Sequence, residues 1–213
     1  MNILFVASEM EPLARVGGLA DVIGTLPKRL AAQGADVRVV LPYYSRVKTW
    51  LSAAGIKSKD VVKDLVVCID WLPVRGAVKE IKLGGVTVYL VEQDEFYGRK
   101  YIYSTPTGDY EDNDLRFGFL SLAALEAAKA LGFKPDIIHC HDWQTALLPI
   151  CLRWRKHLRD DEFFKGTRLV FTIHNISFQG EDDRAILDKF GLPEFLFTSQ
   201  GLEFYGKVNL LKG

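Results

Sequence analysis

The sequence predicts an α/β fold, an open and mostly parallel β-sheet with helices on both faces, and three observations point to it. Apolar strand patterns alternate with helical ones along most of the chain. The runs Ile3–Ala7 and Leu169–Ile173 are nearly continuously apolar, as expected of strands buried on both sides. The opening strand also breaks at Pro12 and delivers Arg15-Val16-Gly17-Gly18 to the head of a helical pattern, a strand–loop–helix unit typical of such sheets.

The elements follow in order. Asn2–Ser8 reads as the first strand and Leu19–Gln33 as the first helix, with Pro27 inside it predicting a kink or break. Asp36–Pro42 is the second strand. Between about 61 and 92, three strand-like runs, with Asp64–Trp71 first and Val86–Glu92 last, are separated by Pro73-Val74-Arg75-Gly76 and by Gly84-Gly85, and predict a β-hairpin insertion. A loop rich in aromatics follows: Phe96, Tyr97, Tyr101, Tyr103 and Tyr110. Loop anchoring is the reading for all of these except Tyr97, whose ring and hydroxyl suit a ligand. The next helix, Asp112–Leu131, carries Asp112 and Asp114 at its positive end, Leu115, Phe119 and Leu122 at helical spacing, and Gly132 as its stop. Strand Asp136–His141, helix Trp143–His157, strand Arg168–His174 and helix Asp182–Phe190 complete a single domain over residues 1–213.

Composition narrows the function. Lys plus Arg equals Asp plus Glu at 27 each, so no bulk field draws the chain to nucleic acid or to an anionic membrane, and anion recognition must be local. Cys68, Cys140 and Cys151 lie in or beside apolar segments without metal or redox spacing, and read as buried hydrophobes of a reducing compartment. A strand begins at once, no leader pattern precedes it and no run is long enough to span a bilayer; the expected location is cytoplasmic.

In parallel sheets, ligands sit beyond the carboxyl ends of the strands. Three such ends carry chemistry. At the first, Gly17 and Gly18 allow close backbone approach, unpaired helix-start amides point outward and Arg15 adds positive charge, which together suit a phosphate. At the second, His139-Cys140-His141-Asp142-Trp143 ends a strand; Asp142 reads as a helix N-cap, a ligand contact, or both. His139 and His141 share a strand face, yet no third or fourth ligand lies at a suggestive spacing, so no metal site is expected. At the third, Thr172-Ile173-His174-Asn175 projects the His174 ring into the crevice, where it suits sugar hydroxyls or positive charge developing on a sugar ring.

The nicotinamide fingerprint and the Gly-x4-Gly-Lys-Ser/Thr loop are both absent, and no Ser or Cys nucleophile pairs with the histidines. A nucleotide sugar fits what remains.

Taken in order, Ser8-Glu9-Met10-x-Pro12-x-x-Arg15-Val16-Gly17-Gly18-Leu19-Ala20-Asp21-Val22, Leu41-Pro42, Glu111-Asp112-Asn113-x-x-Arg116-Phe117, His139-x-His141-Asp142-Trp143, Thr172-Ile173-His174-Asn175 with Gln179-Gly180, and Asn209-Leu210-Leu211-Lys212-Gly213 resemble the bacterial glycogen synthase and plant starch synthase family, glycosyltransferase family 5. The resemblance implies the Rossmann-like N-terminal half of a GT-B fold, without the C-terminal nucleotide-binding domain, which would be the covalent partner completing the cleft. It implies retaining transfer of glucose from ADP-glucose, or UDP-glucose, to the non-reducing end of an α-1,4-glucan, with no cofactor and no metal, and an isolated half that is inactive. By motif, Asp142 and His174 would contact the glucosyl unit as catalytic-site residues. Arg15, where the family usually has lysine, would lie near the donor phosphates with Gly17 and Gly18, Asp21 would organise that loop, and Tyr97 would lie beside the donor. The leaving phosphate would take the acceptor proton. A non-catalytic glucan-binding or regulatory module, and another GT-B hexosyltransferase such as a sucrose-type synthase, stay open as alternatives.

Overall fold

A computed structural model describes residues 1–213. Strand β1 (Asn2–Val6) is followed by α1 (Gly18–Ala32), β2 (Asp36–Pro42), α2 (Ser45–Ala53), and the strands β3 (Lys59–Ile69), β4 (Leu72–Leu83) and β5 (Val86–Glu92). A short helix α3 (Asp94–Tyr97) and a two-residue ribbon, β6 (Ser104–Thr105) with β7 (Gly108–Asp109), lead into the long helix α4 (Asn113–Ala130). Then come β8 (Ile137–His141), α5 (Leu147–Trp154), α6 (Lys156–Arg159) and β9 (Arg168–Thr172). A small antiparallel sheet of β10 (Glu181–Asp182), β11 (Glu203–Phe204) and β12 (Lys207–Asn209), with α7 (Ile186–Lys189) between β10 and β11, closes the described chain.

The main sheet has the order β3-β4-β5-β2-β1-β8-β9. β5, β2, β1, β8 and β9 run parallel, and β4 is antiparallel to both of its neighbours. Strand order therefore reverses between β1 and β8. Because β1–α1–β2 and β8–α5–β9 step in opposite directions along the sheet, the right-handed crossover rule puts α1 on one face and α5, with α4 packed against it, on the other. The apolar run of β1 is central as its sequence demands, with Phe5 and Val6 fully buried.

Close packing explains two glycines. A Cβ at Gly24 of α1 would stand 2.9 Å from the Glu11 carbonyl oxygen, so the helix lies directly against the loop that precedes it. A Cβ at Gly118 of α4 would stand 2.0 Å from the Phe190 ring. That helix is buried nearly all round, including Arg116, whose guanidinium donates to the Phe96 carbonyl and to Asn113 Oδ1. The apolar spacing therefore marks only one of its buried faces.

Several expectations are corrected. Of the kink or break expected at Pro27, the break does not occur: α1 continues past it to Ala32. Pro73–Gly76 lies inside β4; the turn is Asp70-Trp71, with φ of 50° and 61°, a primed hairpin turn made without glycine. Gly76 instead permits close approach, since a Cβ there would meet the Glu92 carbonyl oxygen at 2.7 Å. β9 is an edge strand rather than a doubly buried one, with Leu169 and Val170 exposed by about two-fifths. The helix read as Trp143–His157 divides into a 3-10 turn at Trp143–Thr145, α5 and α6, broken where Arg155 is extended. The helix read as Asp182–Phe190 shrinks to the four residues of α7. Helix α2 was not expected, since only Val47 and Leu51 are buried in it and two anchors make no visible stripe. Asp112 and Asp114 do stand at the positive end of α4, where the Asp112 carboxylate forks onto Arg99 at 2.7 and 2.5 Å. Cys68 is exposed, whereas Cys140 and Cys151 are buried. No helix is long and apolar enough to cross a membrane.

Candidate active site

Beyond the carboxyl ends of β1, β8 and β9, at the reversal of strand order, lies a cleft of ≈ 540 Å³ whose lining includes Gly17, Gly18, Tyr103, Asp142, His174 and Asn175. Three chain segments distant in sequence therefore meet at one place.

The first wall is the loop between β1 and α1. One turn past β1, the buried Glu9 carboxylate accepts the Val16 amide at 2.6 Å and the Gly17 amide at 2.9 Å through Oε2, while its Oε1 accepts the Tyr103 hydroxyl at 2.6 Å. Arg46 of α2 adds a clamp from outside, donating to the Arg15 carbonyl at 2.8 Å. Gly17 occupies the N-cap position without any side-chain cap; the Ala20 amide turns back to the Gly17 carbonyl at 3.3 Å, and the Gly18 and Leu19 amides at the head of α1 remain available to a ligand. A Cβ at Gly17 or Gly18 would meet nothing within 4 Å, and φ at Gly17 is an ordinary −133°. These glycines keep space open on the cleft side rather than permit a strained turn.

The second wall is Asp142. Its backbone has φ 56° and ψ 176°, a region nearly confined to glycine. Its side chain caps no helix. Instead Oδ1 accepts the His174 amide at 2.6 Å and the Asn175 amide at 3.3 Å, tying the end of β8 to the segment that leaves β9. Oδ2 takes no part in these bonds and stays available to the cleft.

His174 stands on the third wall. Its Nε2 lies 3.0 Å from His141 Nδ1, and His141 is stacked on Phe5 at 5.6 Å with an interplanar angle of 11°. His139 completes the row, its centroid 4.1 Å from that of His141 and its Nε2 2.7 Å from Thr172 Oγ1. Burial, followed by its neighbours His139 and His174, pushes the His141 pKa down to about 2. Burial, then His174, also lowers that of His139. Burial thus favours the neutral form of both rings in the fold.

That neutrality sets a pH dependence. Unfolded histidine takes up a proton near pH 6.5, so below that value the unfolded chain binds more protons than the native one and stability falls as pH falls. With the native His141 resisting protonation to about 2, its contribution should be lost at about 1.4 kcal/mol per pH unit once the pH is well below 6.5. Urea unfolding of the wild type between pH 6.5 and 5 should show this slope, and His141→Asn should flatten it.

Of the residues read from the sequence, Gly17, Gly18, Asp142 and His174 meet in the cleft. Arg15 and Asp21 are not part of its lining; they form an exposed pair at 3.0 Å. Gly17 has its amide committed to Glu9, so of the two glycines only Gly18 has an amide outside the Glu9 contact. Tyr97 is corrected outright. It is fully buried, its hydroxyl donates to the Arg116 carbonyl at 2.7 Å, and its ring packs edge-on to Tyr44. Tyr103, read as a loop anchor, is the tyrosine that reaches the cleft, and burial together with Glu9 raises its pKa well above the ordinary value. Glu9 and Asn175 fall within the quoted motifs but, like Arg46, are given no role by the sequence reading. Glu9 could have been found from its position just past the first strand, where a buried carboxylate needs donors and the loop supplies them.

The starch synthase catalytic domain model matches residues 2–213. Glycogen synthase from Geotalea daltonii is 46% identical over 213 residues, all of this chain and 43% of that protein. Glycogen synthase 2 from Geobacter metallireducens is 45% identical over the same span, again 43% of its length. Among solved structures, the catalytic domain of starch synthase IV from Arabidopsis thaliana, bound to ADP and acarbose, superimposes with a TM-score of 0.84 at 28% identity, covering 99% of this chain and 42% of that one. The chain thus spans less than half the length of the relatives it matches.

Proposed function

Because the chain belongs to the starch synthase catalytic-domain family, we propose that it forms one wall of a retaining glucosyltransferase site, which moves glucose from ADP-glucose to the 4-hydroxyl at the non-reducing end of an α-1,4-glucan. The observation that carries this reading is the convergence of the free α1 amides, Asp142 and His174 on one cleft at the strand-order reversal. That the Arabidopsis structure holds ADP supports a nucleotide-bearing donor.

In this reading the Gly18 end of α1 faces the diphosphate, and its amides stabilise the charge that grows as the phosphate leaves. Asp142 Oδ2 accepts from a glucosyl hydroxyl, and the His174 ring contacts another. Arg15 stands at the rim, one residue from the lining residue Val16, and turns from Asp21 to the phosphates when the donor arrives. The leaving phosphate takes the acceptor proton. The other wall of the site belongs to the share of the relatives' length that this chain does not match. The unpaired cysteines support a reducing, cytoplasmic setting.

Calorimetric titration with ADP-glucose tests this. The chain should bind it, and Arg15→Ala should weaken binding by about tenfold or more, the worth of a charge-assisted hydrogen bond. Stability should move by less than about 1 kcal/mol, because the exposed pair with Asp21 contributes little. Radiolabelled glucose should not pass to glycogen through this chain alone. Turnover by the isolated chain would overturn the division of labour, and maltooligosaccharide binding without any ADP-glucose binding would favour a glucan-binding module.

A further inference from the structure

We infer that His141 is a positioning residue that fixes the tautomer of His174, so that His174 carries its proton on Nδ1 and presents the cleft with a hydrogen-bond donor. The argument begins with the 3.0 Å contact between His141 Nδ1 and His174 Nε2. Two ring nitrogens at that distance share one proton, and either could hold it. The choice is made at the far end of His141. Its Nε2 is buried with no hydrogen-bond partner, in a side chain that is itself fully buried.

Suppose His174 donated from Nε2. His141 Nδ1 would have to accept, and the single proton of the neutral His141 ring would be forced onto Nε2, leaving a buried N–H with nothing to receive it. Orphaned buried N–H groups are rare because they forfeit a full hydrogen bond. A doubly protonated His174 would impose the same orphan. With the proton on His141 Nδ1, only a lone pair is left unpaired, and His174 Nε2 accepts. The one proton of a neutral His174 then resides on Nδ1, the nitrogen that the His141 contact leaves over, on a residue that lines the cleft. Phe5, stacked flat against His141, and the His174 amide held by Asp142 Oδ1 at 2.6 Å keep both rings in register.

The tautomer stands on this geometry alone; its use rests on the functional reading above. An Nδ1–H donor recognises an acceptor oxygen, that of a sugar hydroxyl in a sugar nucleotide. It also means that His174 offers the cleft no lone pair, so it serves as a hydrogen-bond donor to substrate and not as a base for the acceptor hydroxyl.

Multiple-bond ¹H–¹⁵N spectra of the ¹⁵N-histidine-labelled chain at pH 7.5 separate protonated from bare ring nitrogens for each of its four histidines, and the His174 signals are assigned with a His174→Asn sample. The expected result is a protonated Nδ1 and a bare Nε2 on His174 in the wild type. His141→Leu should move His174 toward the Nε2–H form. His141→Asn, whose amide can donate from the place of Nδ1, should retain the wild-type pattern. A wild-type His174 with its proton on Nε2 overturns the inference even if a variant fails to fold, and so does a His174 pattern untouched by His141→Leu. Addition of ADP-glucose should then shift His174 Nδ1. A correct tautomer with no response to ADP-glucose supports the His141 role and overturns the donor-binding reading instead.

Discussion

Asp142→Gly should leave the chain more stable than Asp142→Ala while removing ADP-glucose binding as completely. Two effects meet at this residue. The carboxylate accepts the His174 and Asn175 amides, and loss of these charged hydrogen bonds should cost about 2–4 kcal/mol in either variant. The backbone at φ 56° and ψ 176° is strained for any residue with a Cβ, by about 1–3 kcal/mol. Glycine releases that strain, less about 0.5–1 kcal/mol for its greater freedom in the unfolded chain. Urea unfolding should thus rank wild type and glycine above alanine, whereas calorimetry should show both variants at least tenfold weaker for ADP-glucose. Equal stability of the two variants would put the strain there at no more than the cost of glycine, about 0.5–1 kcal/mol. Wild-type affinity in either would remove Asp142 from the site.

Phe5→Ala should be the most destabilising single change. The ring is fully buried in the central strand and packs on both His139 and His141, at centroid distances of 4.9 and 5.6 Å. Truncation of such a ring costs about 3–5 kcal/mol, a large share of the 5–15 kcal/mol that holds a typical domain together. Phe5→Leu should cost less, since it keeps apolar bulk against the imidazoles. A second consequence separates the two. The alanine cavity admits water to His141, so the fall in stability between pH 6.5 and 5 should be shallower in Phe5→Ala than in Phe5→Leu. A loss below about 1 kcal/mol in Phe5→Ala would mean that the strand repacks around the gap.

The parts of this architecture that were legible in the sequence are those governed by local rules. The β1 run, the β8 and β9 strands with chemistry just past their ends, and the long α4 all declare themselves through apolar patterning, and a parallel sheet then forces those strand ends together. Positions decided by tertiary contacts were not legible. The apolar run of β9 fits a doubly buried strand, yet whether another strand lies beyond it is a property of the sheet and not of the segment. Tyr97 and Tyr103 occupy the same aromatic stretch and have the same chemistry. What distinguishes them is that α3 turns Tyr97 into the core, whereas the Asn113 side chain holds the Tyr103 carbonyl at 2.9 Å and turns its ring toward Glu9. Glu9 shows the same limit: its role depends on a loop that folds back seven and eight residues later.

The three hydrogen bonds of Glu9 bear on affinity as well as on shape. Immobilising a flexible loop costs about 1–2 kcal/mol of backbone entropy per residue, and a ligand that had to do so would bind correspondingly more weakly. Here the carboxylate anchors Val16 and Gly17 before any guest arrives. The ordering penalty is thereby met during folding, so that the loop is a preorganised cradle for the phosphate proposed to bind there.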